Sequence, residues 1–111
     1  MKELKEMSKT ELVLMKCVWM ADGPVTATQI MKSAQEVYQL AIDRKTLGTL
    51  MYRLEEKEYV KVVGNRGRAN CYEAAISEAE MRKDKFREFV YWWFGGSVPS
   101  LRSALDEEDF L

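Results

Sequence analysis

Histidine is missing from this sequence altogether, and cysteine and proline each occur only twice. Without an imidazole there is no serine–histidine or cysteine–histidine pair to activate a nucleophile. Cys17 and Cys71 stand far apart, too few and too isolated for a structural zinc site, and they read as reduced thiols. No glycine-rich phosphate loop appears, and no run of about eighteen apolar residues could cross a bilayer. The charged opening MKELKEMSKTE is followed by no apolar signal-peptide core, so a cytosolic protein is expected. These absences remove most enzyme classes. No catalytic group, metal or cofactor is expected, and no membrane partner.

The 111 residues, 47% of them hydrophobic, suit one globular domain with a small appendage. Such a chain has a thin core, which a second subunit would extend. The net charge of −1 conceals a division. Positions 1–42 balance five lysines against five acids. Positions 43–72 carry Arg44, Lys45, Arg53, Lys57, Lys61, Arg66 and Arg68 against Asp43, Glu55, Glu56 and Glu58, a net +3. Positions 73–111 carry five basic and nine acidic residues. A basic centre followed by an acidic end points toward an anionic partner for the middle of the chain.

Ser8 with Glu11, Thr26 with Gln29 and Ser77 with Glu80 are three capping-box pairs, each opening a predicted helix. In the first, Leu12, Met15 and Trp19, with Val18 beside them, form an apolar face that ends at Asp22-Gly23-Pro24, the glycine suiting a C-terminal cap. In the second, Ile30, Ala34 and Val37 make the stripe, and Leu40-Ala41-Ile42 reads as a stub of strand. Asp43 opens a third helix, to about Lys57, with Leu47, Leu50, Met51 and Leu54 on its core face. Its opposite face carries Lys45, Thr46, Thr49, Tyr52 and Arg53. Tyr59–Val63 and Asn70–Ala74 alternate like strands around the turn-forming Gly64–Arg68, a β-hairpin. A fourth helix carries Phe86, Phe89, Val90 and Trp93 and ends at Gly95-Gly96. A fifth follows Ser97 and Pro99, carries Leu101 and Leu105, and closes on the acidic run Asp106–Asp109.

Three helices and then a hairpin is the order of a winged helix-turn-helix, so the expected class is mainly α with a small β-hairpin. In that design the third helix lies in the major groove, where Lys45, Thr46, Thr49 and Arg53 would meet base edges and Tyr52 a sugar or phosphate. Arg66 and Arg68 at the hairpin tip would touch phosphates or enter a minor groove. The fourth helix is apolar nearly all round over Phe89–Phe94, and a two-fold interface with the same helix of a second copy would cover it. The dimer set is then Phe86, Phe89, Val90, Trp93, Leu101 and Leu105. The expected division is a DNA-binding domain over 1–75 and helical dimerisation region over 76–111. A winged-helix adaptor that binds only protein is the alternative, and a thiol-based sensor a third.

Ser8-x-x-Glu11 with Met15 and Trp19, Gly23-Pro24-Val25-Thr26, the stretch from Lys45-Thr46-Leu47 to Arg53-Leu54-Glu55-x-Lys57, and Phe94-Gly95-Gly96-Ser97 occur together in order. On these landmarks the chain resembles the penicillinase-repressor family of bacterial winged-helix regulators, the BlaI/MecI type that includes the copper-responsive CopY repressors. The resemblance runs from about Met7 to Leu105 and implies a homodimeric repressor on a palindromic, double-stranded operator. It places Lys45, Thr46, Thr49 and Arg53 on the recognition face, Arg66 and Arg68 on the wing, and Phe86, Phe89, Val90, Trp93 and Leu101 in dimerisation helices. Induction differs within the family: antibiotic-responsive members are inactivated by proteolysis within the C-terminal dimerisation region, so the resemblance to that branch implies a regulatory protease as a partner. Cys17 and Cys71 do not match the cysteine-rich tail of copper-responsive members. Gly48 departs from the pattern, standing inside the recognition helix where relatives carry a longer side chain.

Overall fold

A computed structural model describes residues 4–107. Helix α1 (Lys9–Met20) starts where Ser8 accepts a hydrogen bond from the Glu11 N–H and Glu11 accepts one in return from the Ser8 N–H. The same reciprocal pair, Thr26 with Gln29, opens α2 (Ala27–Tyr38). Each pair satisfies donors that a first helical turn leaves unpartnered. Helix α3 (Arg44–Glu56) is capped by Asp43. Among the described residues these helices and a small sheet form a unit running to Glu78. Leu14, Met15, Ile30, Ala34, Leu47, Met51, Leu54 and Tyr59 are its buried centre.

Strands β1 (Val25–Thr26), β2 (Val60–Arg66) and β3 (Ala69–Ala74) make an antiparallel sheet in the order β1-β3-β2. The register of β2 on β3 slips between Val62 and Gly64, a bulge that leaves Val63 as the extra residue. Arg66 pairs with Ala69, so the turn is only Gly67-Arg68, with Gly67 at φ 64° as a glycine-first hairpin turn requires. Helices and hairpin together are a winged helix-turn-helix.

Several local expectations change. Leu12 is exposed and Leu14 takes the core position, because the buried face of α1 runs through Glu11, Leu14, Met15 and Val18. Val37, in the last turn of α2, is half exposed. Helix α1 ends at Ala21 in extended backbone, its N–H donating to the Val18 carbonyl, and not at a left-handed Gly23. Leu40–Ile42 is not a strand. Leu40 donates its N–H to the Ala34 carbonyl across a left-handed Gln39, so the segment is spent closing α2 before Asp43 opens α3. Gly64–Arg66 belongs to β2 and not to the turn, and β1 has no counterpart in the sequence reading.

The second unit starts at Ala79. Helix α4 (Glu78–Phe94) ends at Gly95 and Gly96, at φ 57° and 81°, where the Gly96 N–H reaches back to the Val90 carbonyl. Ser97 then accepts from the Ser100 N–H and opens α5 (Val98–Glu107). Glu108 and Asp109 of the acidic run lie outside the described residues. Among the described residues no helix is long and apolar enough to cross a membrane.

Candidate nucleic-acid interface

Leu47, Met51 and Leu54 on α3 are fully buried, and their burial fixes which way the helix faces. Lys45, Thr46, Thr49, Tyr52 and Arg53 fall within an arc of roughly 120° on the opposite side, and every one of them is exposed. The Thr49 hydroxyl donates to the Lys45 carbonyl at 3.2 Å, which leaves its oxygen as an acceptor. Tyr52 is 61% exposed. The face therefore offers donors, acceptors and a cationic edge, none of them used to hold the fold together apart from that one intrahelical bond.

Both ends of α3 are fastened. At its start the Asp43 carboxylate accepts from the Thr46 N–H at 2.7 Å, a bond that holds the Asp43 carboxyl below its usual range. Arg44 donates to the Thr28 hydroxyl at 2.9 Å, tying the first turn of α3 to the first turn of α2. At its end Lys57 donates to the Glu11 carboxylate on α1. A helix pinned in this way presents its outer face in one orientation, which reading base edges requires.

The hairpin supplies a second basic point. Arg66 closes β2 and Arg68 occupies the turn, both exposed, and Lys61 is exposed lower on the same strand. The sequence alone gives no sign of the Arg44–Thr28 bond. A cation at the first helical position and a threonine at the start of the preceding helix are ordinary there, and only the fold brings them together.

In the second unit Phe86, Phe89 and Leu105 are about half exposed and Trp93 is 75% exposed. Tyr91 and Trp92 add to the surface, with their rings edge to face at 5.1 Å. Lys85, Glu88, Phe89, Trp92 and Trp93 line an open groove along α4. Val90 and Leu101 differ. They are 4% and 9% exposed in the single chain, so they are already covered without a second copy.

Both thiols, Cys17 and Cys71, are free and buried, and burial pushes the Cys17 thiol up. Among the described residues no group of three or more Cys, Asp or Glu side chains could hold a metal ion.

The profile of the penicillinase repressor family matches residues 7–110. Among solved structures the chain is similar to the solution structure of the Bacillus licheniformis BlaI monomeric form in complex with the blaP half-operator. The two are 25% identical with a TM-score of 0.54, over 72% of this chain and 93% of that one. No curated protein sequence matches the chain.

Proposed function

The chain belongs to the penicillinase repressor family, and from that footing we propose that it is a DNA-binding transcriptional repressor working as a homodimer on a palindromic operator in the cytoplasm. The observation that carries this reading is the outer face of α3, which is rich in hydrogen-bonding groups, exposed and held rigidly at both ends. Lys45, Thr46, Thr49 and Arg53 meet base edges in the major groove, and Tyr52 reaches the sugar–phosphate strand. Arg66 and Arg68 on the wing neutralise phosphates or enter the minor groove beside it. That the similar BlaI was solved in a monomeric form in complex with a half-operator supports a two-fold arrangement of half-sites.

The dimer forms through the aromatic side of α4, with Phe86, Phe89 and Trp93 and with Leu105 of α5. Burying a fully exposed side chain of this kind contributes about 1.5–3 kcal/mol, of which Trp93 can gain most and the half-exposed Phe86, Phe89 and Leu105 about half each, counted once per copy against the cost of association. Repression works by occupying the promoter. A protease that cuts within residues 79–111 would separate the two copies and release the operator. The chain itself performs no reaction.

Selection of bound sites from a random duplex pool tests the proposal directly. It is expected to return a palindrome whose affinity falls steeply with salt, since each neutralised phosphate adds about −0.9 to the log–log slope. Recovery of no site at low salt would remove the repressor reading in favour of a protein-binding adaptor.

A further inference from the structure

Gly48 costs the protein stability and returns nothing inside it. It lies in the middle of α3, and its φ is not in the left-handed region, so no backbone conformation calls for glycine. A Cβ built there would meet nothing within 4 Å, so no packing neighbour calls for glycine either. The position is exposed. A glycine in such a place weakens a helix by about 1 kcal/mol relative to alanine. What remains to account for it lies outside the chain.

The neighbours indicate what that is. One turn earlier stand Arg44 and Lys45, and one turn later Tyr52, all exposed, so Gly48 is the floor of a notch bordered by two cations and a phenol. The notch is on the flank of the recognition face nearer Arg44, whose guanidinium is held by Thr28 in the first turn of α2. Two cations beside a bare stretch of helix backbone suit an anionic strand more than a base edge. We infer that Gly48 is a close-approach point for the DNA sugar–phosphate strand, which seats against the helix backbone between Arg44 and Tyr52.

This inference rests on the DNA-binding reading, and it changes how the interface discriminates. A missing side chain that admits a phosphate strand sets how deeply α3 enters the groove, without itself reading sequence. Filling the notch then weakens binding to every duplex alike.

Gly48→Ala, with Gly48→Val as the larger insertion, tests it on the full chain. Thermal unfolding of the alanine variant should rise by roughly 4 °C, because the helix gains and nothing is crowded. Its affinity should nevertheless fall about tenfold, and equally, for the selected operator and for a random-sequence duplex, with valine worse than alanine. A stabilised alanine variant that binds both duplexes as tightly as the parent overturns the inference. So does a loss confined to the operator, which would assign Gly48 to a base edge. If the parent itself retards neither duplex at low salt, the repressor reading fails first and this inference falls with it.

Discussion

Glu11 and Lys57 meet across 46 residues of sequence, the lysine donating to both carboxylate oxygens at 2.9 and 3.0 Å. Glu11 is 4% exposed, so its charge depends on that lysine and on the Ser8 N–H. The pair joins α1 to the end of α3, and Lys57 also donates to the Glu6 carbonyl at 2.8 Å. It therefore serves the candidate site by setting where α3 stops and how it is aimed.

The first prediction concerns this pair. Lys57→Met leaves a buried carboxylate without its cation, and the expected loss is about 2 kcal/mol. That is less than the ~3–5 kcal/mol of a fully enclosed pair, because the lysine side chain keeps 22% of its exposure. Burial pushes the Glu11 carboxyl up, but the Ser8 and Lys57 hydrogen bonds and the lysine charge outweigh it and hold it below its usual range. A folded-state value lower than the unfolded one means the contribution is complete above the ordinary glutamate value of about 4.3 and fades as pH falls through the folded value. Urea midpoints measured from pH 7 to pH 3 should show parent and Glu11→Gln converging toward acid. A constant gap would contradict the assignment.

A second prediction concerns the cap of α2. Gln39 adopts a left-handed φ of 53°, and its amide makes only long contacts, at 3.4 Å, to the Glu36 and Val37 carbonyls. A β-carbon is costly in that conformation, and glycine removes the cost while keeping the Leu40 N–H to Ala34 carbonyl bond. Gln39→Gly is expected to stabilise the chain by about 0.5–1 kcal/mol, read as a higher denaturant midpoint. An unchanged or lower midpoint would show that the left-handed residue costs little here.

Much of this architecture is legible from residue pattern because the information is local. Ser8, Thr26 and Asp43 satisfy backbone donors three residues away, and Leu47, Met51 and Leu54 repeat at the helical period, so a linear reading finds them. The exposed outer face of α3 follows at once as the side that Leu47, Met51 and Leu54 leave out. What escapes is whatever depends on distant partners. Strand β1 is two residues long and exists only because Val25 and Thr26 pair with Tyr72 and Cys71. Trp19 reads as one more apolar position, yet its indole N–H is committed to the Ile76 carbonyl at 2.9 Å. Lys16, which carries no apolar signal at all, pairs with Glu78. The Arg44–Thr28 bond is likewise invisible until α2 and α3 are packed. Val90 and Phe89 share one apolar run, and only the fold separates the buried one from the exposed one.

That separation gives a third prediction. Trp93→Asp removes an exposed ring and should leave the helices folded while converting a dimer to a species near the 12.9 kDa of one chain in sedimentation. Val90→Asp places a carboxylate in a covered position and should instead melt α4 and α5, with loss of helical circular dichroism. If Trp93→Asp sediments as a dimer, the exposed aromatic side of α4 is not the contact between copies.

The last prediction separates two kinds of contact within the candidate interface. Arg53 is on the outer face of α3, where a forked guanidinium can take two acceptors of one guanine, whereas Arg68 is in a two-residue turn well suited to a phosphate. Replacing a base reader by alanine costs about 1–3 kcal/mol on the cognate site and relaxes preference at one base pair. Replacing a phosphate contact weakens all duplexes nearly equally and lowers the salt slope by about one unit per site. Arg53→Ala is therefore expected to bind the operator poorly and random duplex almost normally, with its salt slope kept. Arg68→Ala should lose affinity for both, with a shallower slope. Titrations of each variant on both duplexes at several salt concentrations decide the matter. An Arg53→Ala profile identical to that of Arg68→Ala would mean that Arg53 binds the backbone only, and sequence preference would then have to come from Lys45, Thr46 and Thr49 on the same face of α3.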